Sequence, residues 1–260
     1  MVHFVGSGCG APDMITVRGE KYLEAADCVI YAGSLVNPAL LQSVKEGCEI
    51  HNSAEMTLEE VIGVIQRSEK KGWMTVRLHT GDPCLYGAVR EQMDALDSLG
   101  IGYDWTPGVS AFCGAAASLK MEYTLPGISQ SVIITRMAGK TPVPEKESIS
   151  SMASHGATMV IFLSAGMTEE LSAELERGGM DADTPAAIVY RASWPDEKTV
   201  LCTVGTLHAA AAANGIRKTA LIIVGRAVAQ AHYDRSRLYD PCFSTEFRRG
   251  TEIPEKHADR

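Results

Sequence analysis

Short apolar runs rich in valine and isoleucine alternate along the chain with longer segments whose apolar residues recur at helical spacing. This alternation is typical of layered α/β proteins, in which helices cover the faces of a sheet. We predict strands over residues 3–5, 28–31, 74–78, 102–105, 132–135, 159–163, 187–190, 199–204 and 221–224. Helices are predicted over residues 15–26, 57–71, 89–99, 145–154, 168–177 and 206–213.

The segment 57–71 has the clearest helix start. Thr57 is followed three residues later by Glu60, which is the spacing of a capping box. Val61, Ile62 and Ile65 then fall on one face of the predicted helix, which should pack on a sheet.

The residues around Pro126 and Gly127 break both periodicities and are typical of a linker. The strands before this point predict a mostly parallel sheet. The closely spaced late strands around 193–198 predict an antiparallel hairpin, and therefore a mixed sheet. The chain is thus divided into an N-terminal α/β domain (1–119), a linker (120–129), a C-terminal α/β domain (130–231) and a polar C-terminal tail (232–260).

The composition is that of an ordinary globular protein, with 45% hydrophobic and 22% charged residues. Apolar runs are all shorter than the roughly 20 residues that span a bilayer. The first residues do not form a basic leader followed by a long apolar stretch, so we expect a cytoplasmic protein without a membrane partner. The 7 cysteines form no CxxC pair and the histidines lack ligand spacing, so we expect reduced thiols and no metal site.

The formal net charge of −8 disfavours nucleic acid as a partner, because phosphate binding needs a basic surface and the sequence contains no basic run. If the substrate is an anion, the positive charge that binds it must be local. Candidate cations are Arg77, Arg90, Lys120, Arg136, Lys140 and Arg191, although each by itself is more typical of a solvated surface.

Three glycine-containing segments follow predicted strands, where open α/β sheets bind their ligands. The first is 6–10, with the sequence GSGCG. By itself it suggests a dinucleotide fold, but the G-x-G-x-x-G spacing fails. Ala32 and Gly33 also stand where a ribose-binding acid would follow the second strand. A nicotinamide-linked oxidoreductase is therefore disfavoured.

The second and third segments are 77–87 (RLHTGDPCLYG) and 106–111 (TPGVSA). In the second, Gly81 permits close approach of a ligand, and Asp82 offers a carboxylate to ribose hydroxyls or an amino group. A turn in which Asp82 caps a helix is an equally good interpretation. In the third, Ser110 is predicted as the N-cap of a helix, with any ligand role in addition.

Taken together, in this order and spacing, the three segments resemble the tetrapyrrole methylases. The resemblance continues through 160–164 (VIFLS), 185–190 (PAAIVY) and 219–225 (TALIIVG), and reaches about residue 231.

Segments 31–36, 122–126 and 136–147 look like the branch that methylates C-11 of precorrin-4 or its cobalt form. Relatives that act on uroporphyrinogen III usually have Asp where this chain has Ala32, so the acid-base role proposed for that Asp has no counterpart here. A sibling methylase acting on C-17 or on uroporphyrinogen III, and a non-catalytic tetrapyrrole carrier, stay open as alternatives.

The resemblance implies an S-adenosylmethionine-dependent C-methyltransferase that releases S-adenosylhomocysteine, binds an anionic tetrapyrrole above the cofactor and forms a homodimer. It identifies no catalytic side chain. The residues implied in cofactor binding are Thr80, Gly81, Asp82, Leu85, Tyr86, Ser110, Ala111, Leu163, Ser164, Tyr190, Ala192, Ala220 and Leu221. Those implied in substrate binding are Gly8, Gly10, Met14, Ser34, Arg77, His79 and Arg136, where Arg77 or His79 would orient an acetate or propionate arm.

Overall fold

The early apolar runs form one parallel sheet in the computed structural model of the chain, which describes residues 1–251. The five strands lie in the order β3-β2-β4-β1-β5, and every pairing between them is parallel. They are β1 (Val2–Gly6), β2 (Cys28–Tyr31), β3 (Glu49–Asn52), β4 (Thr75–His79) and β5 (Tyr103–Thr106). The central strands β1 and β4 are buried along their whole length. The prediction of a mostly parallel first sheet is confirmed.

The later strands form a second sheet, in the order β6-β7-β10-β8-β9. They are β6 (Val132–Arg136), β7 (Thr158–Phe162), β8 (Pro185–Tyr190), β9 (Lys198–Thr203) and β10 (Ala220–Val224). β6 and β7 pair in parallel, whereas β10 is antiparallel to both of its neighbours and β8 and β9 form an antiparallel hairpin. The predicted hairpin and the mixed character of this sheet are confirmed.

Helices cover both faces of each sheet. They are α1 (Val17–Ala25), α2 (Leu58–Lys70), α3 (Arg90–Leu99), α4 (Ala111–Leu119), α5 (Ile149–Ala153), α6 (Thr168–Arg177) and α7 (Leu207–Ala213). On the first sheet, α2 and α3 share one apolar cluster and α1 contributes to the cluster on the opposite face. On the second sheet, α4 packs on one face and α5, α6 and α7 pack on the other.

The capping box at the start of α2 is confirmed. Glu60 N donates to Thr57 Oγ1 at 3.3 Å, and Thr57 N donates to Glu60 Oε2 at 2.7 Å. The apolar face that follows is buried as the spacing predicts. The N-cap and the buried face of α2 therefore both form as the sequence predicts.

Three elements differ from the prediction, and one of them, α4, is predicted only by its start at Ser110 and has no predicted range. The helix predicted over 145–154 is a 3-10 turn, Glu145–Glu147, followed by α5, because Ser148 interrupts it in an extended conformation and caps α5 through its hydroxyl. The strand β3 has no predicted counterpart, since its residues are exposed or half-buried on a sheet edge and carry no alternating pattern.

The segment between the two sheets packs closely against both halves. Tyr123 and Leu125 are buried, Tyr123 Oη donates to Phe112 O at 2.6 Å, and Thr158 Oγ1 donates to Tyr123 O at 2.9 Å. The domain boundaries given above stay a prediction. Residues 232–251 are mostly exposed, and the last nine residues of the predicted tail lie outside the described part of the chain. Within residues 1–251 no helix combines the length and apolar character needed to cross a membrane.

Candidate active site

The three glycine-containing segments meet at the carboxyl ends of β1, β4 and β5. A β-carbon on Gly108 would lie 2.2 Å from Gly81 O, and one on Gly6 would lie 2.6 Å from Gly108 N. Gly8 and Gly81 also exchange backbone hydrogen bonds, at 3.3 Å and 2.8 Å. The glycines are therefore required for the close approach of the three backbones, in addition to any role in admitting a ligand.

Asp82 joins the second segment to the third. It is 9% exposed, and its two carboxylate oxygens accept hydrogen bonds from Cys84 N and Gly108 N, each at 2.8 Å. The helix-cap interpretation is wrong, because the helix that follows, α3, begins at Arg90 with Val89 at its N-cap. The carboxylate instead fixes the position of one loop relative to the other.

Ser110 occupies the N-cap position of α4, as predicted, and its carbonyl accepts from Gly114 N at 3.2 Å. Its hydroxyl, however, caps none of the first-turn amides of α4 within residues 1–251, which corrects the expected capping bond. The start of α4 lies against Gly81, where a β-carbon would be 3.3 Å from Ala111 N. These first-turn N–H groups can therefore serve a ligand that enters beside Gly81.

Thr80, Leu85 and Tyr86 complete the loop after β4. Thr80 and Leu85 are half-buried, and Thr80 Oγ1 donates to Leu35 O at 3.5 Å. Tyr86 is exposed, has a left-handed backbone conformation with φ 56°, and its ring lies 5.4 Å from that of Phe162 at the end of β7. This aromatic pair brings the loop of the first half to the edge of the second sheet.

Left-handed conformations cluster at the matching edge of the second sheet. Leu163 follows β7 with φ 54°, Arg191 follows β8 with φ 48°, and Thr219 precedes β10 with φ 56°. Such conformations cost a non-glycine residue about 1–3 kcal/mol and are concentrated at functional sites. Arg191 N donates to Thr219 O at 3.0 Å, and Tyr190 pairs with Ala220 in the sheet. The structure therefore brings three predicted cofactor residues, Leu163, Tyr190 and Ala220, to one edge of the second sheet.

Ser164 is completely buried and bound to backbone. Its hydroxyl donates to Phe162 O at 2.7 Å and accepts from Met137 N at 2.9 Å. This side chain holds the ends of β6 and β7 together, in the same way that Asp82 holds two loops of the first half.

Three further predicted cofactor residues belong to one apolar cluster that joins the two halves. Ala111 of α4 packs with Ala192 and Leu221 of the second sheet region in this cluster. The surface between the halves is thus formed by small and apolar groups, which suits the flat face of an aromatic base.

The loop 6–10 lies between α4 and the second half. A β-carbon on Gly10 would lie 2.5 Å from Ala192 O, and Asn37 Nδ2 donates to Gly10 O at 2.9 Å. Gly8 lies equally close to Met14, which is 40% exposed. Of the predicted substrate residues, Gly8, Gly10 and Met14 are therefore brought together, whereas Ser34 is exposed in the turn after β2.

Arg77 and His79 belong to the central strand β4 and are 6% and 4% exposed. Arg77 Nε donates to Gln92 Oε1 at 2.9 Å and Nη1 donates to Ile30 O at 3.1 Å, so its contacts are internal. Burial lowers the pKa of Arg77 to about 10. Burial, reinforced by the charge of Arg77, lowers the pKa of His79 to about 3. The structure does not bring these two side chains to the other substrate candidates.

Arg136 is the last residue of β6 and lies near Tyr86. Its guanidinium donates to the carbonyls of Thr141 and Pro142 at 3.2 Å and 3.1 Å, and within residues 1–251 it has no carboxylate partner. Burial raises the pKa of the Tyr86 hydroxyl and the positive charge of Arg136 opposes that rise, which reflects their proximity. Arg136 is thus a half-buried cation whose guanidinium can bind a carboxylate.

The comparison with protein families decides what kind of site this is. The pattern of the Tetrapyrrole (Corrin/Porphyrin) Methylases matches residues 1–208. The chain belongs to the tetrapyrrole methylases. The resemblance inferred from the glycine-containing segments is confirmed.

Two relatives of this tetrapyrrole methylase are similar over nearly the whole length. The cobalt-precorrin-4 C(11)-methyltransferase of Methanocaldococcus jannaschii is 50% identical over 248 residues, which are 95% of this chain and 96% of the relative. The precorrin-4 C(11)-methyltransferase of Pseudomonas aeruginosa is 42% identical over 92% of this chain and 94% of the relative.

Solved structures of tetrapyrrole methylases share the fold. A cobalt precorrin-4 methyltransferase of cobalamin biosynthesis superposes with a TM-score of 0.85 at 44% identity, covering 87% of this chain and 95% of its own. A uroporphyrin-III C-methyl transferase from Thermus thermophilus, in complex with S-adenosylhomocysteine, has a TM-score of 0.74 at 25% identity and covers 88% and 99%. The predicted fold class, α/β with two sheets, is confirmed.

Several groups that shape the site of this tetrapyrrole methylase were not predicted. Phe162 falls in a predicted strand and in the segment 160–164 that carries the resemblance, but neither it nor Asn37 nor Trp194 is among the predicted site residues. Asn37 directly follows the segment 31–36, so its position beside a functional segment was the available signal. Among the described residues, histidine, cysteine and acidic side chains form no group of three that could hold a metal.

Proposed function

We propose that this tetrapyrrole methylase transfers a methyl group from S-adenosylmethionine to C-11 of precorrin-4 or of its cobalt form. The observation behind the proposal is full-length similarity, with 50% identity over 95% of the chain, to a relative whose name states this reaction on the cobalt substrate. The relative from Pseudomonas aeruginosa, at 42% identity, is named for the metal-free one.

The cofactor is proposed to lie between the two sheets, at the loops after β4 and β5 and the edge formed by β7, β8 and β10. The fit rests on the amides of Ala111 and Phe112 at the start of α4, which have no acceptor among residues 1–251, and on the absence of a side chain at Gly81, beside them. Leu163, which is 62% exposed, and the apolar cluster with Ala111 and Ala192 add surface for an adenine. Asp82 and Ser164 hold these loops in place through backbone contacts.

When bound, the cofactor supplies an activated methyl group on a sulfonium, so the protein's part is chiefly to align a ring carbon with it and to exclude water. Such alignment can lower a barrier by roughly 7–11 kcal/mol. A dedicated acid or base is not required, and we propose none. Rigid loops suit this task, and the mutual packing of Gly6, Gly81 and Gly108 provides them.

The tetrapyrrole carboxylates are proposed to bind Arg136, with Tyr86, Gly8, Gly10 and Met14 beside the ring. The half-buried guanidinium of Arg136 is suited to bidentate carboxylate binding because its observed partners are neutral carbonyls. Arg90 and Arg191 are already paired with aspartates, and Arg77 is buried, so we assign them no substrate carboxylate.

The test is methyl transfer from carbon-labelled S-adenosylmethionine to precorrin-4 and to cobalt-precorrin-4, side by side, with product mapping by mass and carbon resonance. Label at C-11 of either substrate is expected. Label at another ring carbon, or on uroporphyrinogen III alone, would instead support a sibling methylase, the reaction named for a Bacillus subtilis relative of 29% identity. Tetrapyrrole binding without transfer would indicate a carrier.

A homodimer and a cytoplasmic location complete the proposal, on the strength of the family resemblance and the sequence. Light scattering of the purified protein during size-exclusion chromatography should give twice the chain mass of 27.9 kDa. A mass of one chain at micromolar concentration would contradict the dimer.

A further inference from the structure

The loop between β8 and β9, residues 191–197, contacts the first half of the chain at several points. Two of its residues have left-handed conformations, Arg191 with φ 48° and Ser193 with φ 65°. Neither is glycine or asparagine, so each is strained and persists only where the surrounding contacts hold it. The strain indicates that this loop is positioned by its contacts and not by its own preference.

Ser193 provides the first contact. Its hydroxyl oxygen accepts a hydrogen bond from Ala11 N at 2.9 Å and lies 3.4 Å from Cys9 Sγ. Ala11 directly follows the loop 6–10, which contains two of the proposed substrate residues. One hydroxyl of the second half thus fixes the end of the substrate loop of the first half.

Glu197 provides the second contact. Its Oε2 accepts from Ser193 N, and it also accepts from the hydroxyl of Ser118 on α4 at 2.7 Å. A single carboxylate oxygen therefore holds the strained turn at Ser193 and attaches it to the helix whose first turn faces the proposed cofactor. Hydrogen bonds to a charged group are stronger than those between neutral groups.

Gly10 and Gly114 let the two halves pack closely at this junction. A β-carbon on Gly10 would meet the ring of Trp194 at 2.3 Å, and one on Gly114 would meet Cys9 at 2.8 Å and Ala192 at 3.5 Å. Displacement of the 191–197 loop would therefore be transmitted directly to the loop 6–10.

Arg191 adds two contacts within the loop. Its guanidinium lies 4.0 Å from the centre of the Trp194 ring and pairs with Asp196 at 2.6 Å. The loop thus combines a cation–π contact and an ion pair of its own with two hydrogen-bonded attachments to the first half.

We propose that Ser193 and Glu197 are positioning residues that align the substrate loop 6–10 with the methyl donor. The inference rests on the proposed function, because Ala192, which precedes Ser193, belongs to the proposed cofactor site. Through these residues the second half fixes the loop that would hold the tetrapyrrole, so that loss of either contact slows transfer without removing the cofactor site.

The test compares Ser193→Ala, Glu197→Ala and Glu197→Gln with a matched control, Glu170→Ala. Glu170 is an exposed glutamate of α6, on the opposite face of the second sheet from α4. At saturating cofactor and substrate, S193A and E197A should lower kcat about tenfold or more. S-adenosylhomocysteine affinity measured by calorimetry should stay within threefold of wild type. E197Q keeps an oxygen acceptor of the same reach and should recover most of the loss.

Amide hydrogen exchange of residues 8–11 provides a second readout that needs no turnover. Exchange in this loop should be at least tenfold faster in S193A than in wild type and unchanged in E170A. The inference would be overturned if both alanine variants had the kcat of wild type, or if residues 8–11 exchanged equally fast in S193A and in wild type. Loss of S-adenosylhomocysteine binding in S193A would overturn it as well, because the loop would then form a wall of the cofactor site. A wild-type protein that transfers no methyl group would overturn the proposed function. The exchange comparison would then still show whether Ser193 holds the loop 6–10.

Discussion

Asp82 acts on the candidate site through backbone amides, since its two oxygens accept from Cys84 N and Gly108 N. Replacing it with Ala leaves both donors without their acceptor. We expect Asp82→Ala to lower the free energy of unfolding by about 1–3 kcal/mol and to weaken S-adenosylhomocysteine binding, because the loops that flank the proposed cofactor lose their connection.

Urea denaturation and calorimetry measure the two effects of Asp82→Ala. Asp82→Asn, which keeps one oxygen acceptor, should fall between the alanine variant and wild type. Asp183→Ala removes an exposed carboxylate and is the control. Equal stability and affinity for the Asp82 and Asp183 alanine variants would show that the two backbone hydrogen bonds contribute nothing.

Gly108 and Gly102 offer a matched pair at the two ends of β5. A β-carbon on Gly108 would lie 2.2 Å from Gly81 O, whereas one on Gly102 would meet no atom of the described residues within 4 Å. We expect Gly108→Ala to cost about 1–3 kcal/mol of stability, as overpacking does. S-adenosylhomocysteine binding should weaken at least tenfold, measured by calorimetry. Gly102→Ala should behave as wild type, and a similar loss in both variants would contradict the steric explanation.

His79 makes stability depend on pH. Its pKa is lowered to about 3, first by burial and then by the charge of Arg77, against 6.5 for an ordinary histidine. Between these values the unfolded chain binds a proton that the folded chain does not, so stability rises with pH across this window and is lost as the pH falls below about 6.5.

The variant His79→Leu removes this titration. Urea denaturation at pH 7, 6 and 5 should show a flatter dependence for the variant than for wild type, by up to about 1.4 kcal/mol per pH unit. The orphaned Nε2 of His79, which has no hydrogen-bond partner among residues 1–251, disappears at the same time. Parallel pH curves for the two proteins would mean that the pKa of His79 is the same in the folded and unfolded chains.

At the level of elements, α2 is the helix that the sequence predicts best, because its cap and its apolar face are both local signals. We expect Thr57→Ala to lower the free energy of unfolding by about 1 kcal/mol, since Glu60 N loses its acceptor and the first turn frays. Urea denaturation measures the loss. Thr199→Ala on the exposed strand β9 is the control, and an equal change in both would show that the capping box is not stabilising.

The elements that the sequence predicts poorly lack such local signals. β3 is an edge strand that pairs with β2, and its own residues show no hydrophobic periodicity. The start of α4 was predicted from Ser110, yet the hydroxyl of that serine forms no cap within the described chain. α4 is composed of small and apolar residues on most sides, because it packs between the two halves, so helical periodicity could not reveal it.

At the level of the whole molecule, the sequence predicts which segments form the candidate site. Glycines after strands mark loops at the carboxyl ends of a sheet, and their order and spacing indicate the family. The internal use of Arg77, Asp82 and Ser164 was not predictable, because it depends on Gln92, Gly108 and Met137, which are distant in sequence. The chain has a net charge of −8, so a single half-buried cation such as Arg136 gains importance for an anionic substrate.

Because the proposed cofactor contacts come from both halves, a bound cofactor should stabilise the two sheets together. At one hundred times its Kd, a ligand that binds only the folded state adds about 2.7 kcal/mol. For a chain of this size that is a rise in Tm of roughly 5–10 °C. Differential scanning calorimetry with S-adenosylhomocysteine should show one transition shifted as a whole. NAD at the same concentration should leave Tm unchanged, because the loop 6–10 lacks the dinucleotide spacing. If S-adenosylhomocysteine shifted only one of two resolved transitions, the cofactor would bind one half alone, and the placement between the sheets would be wrong.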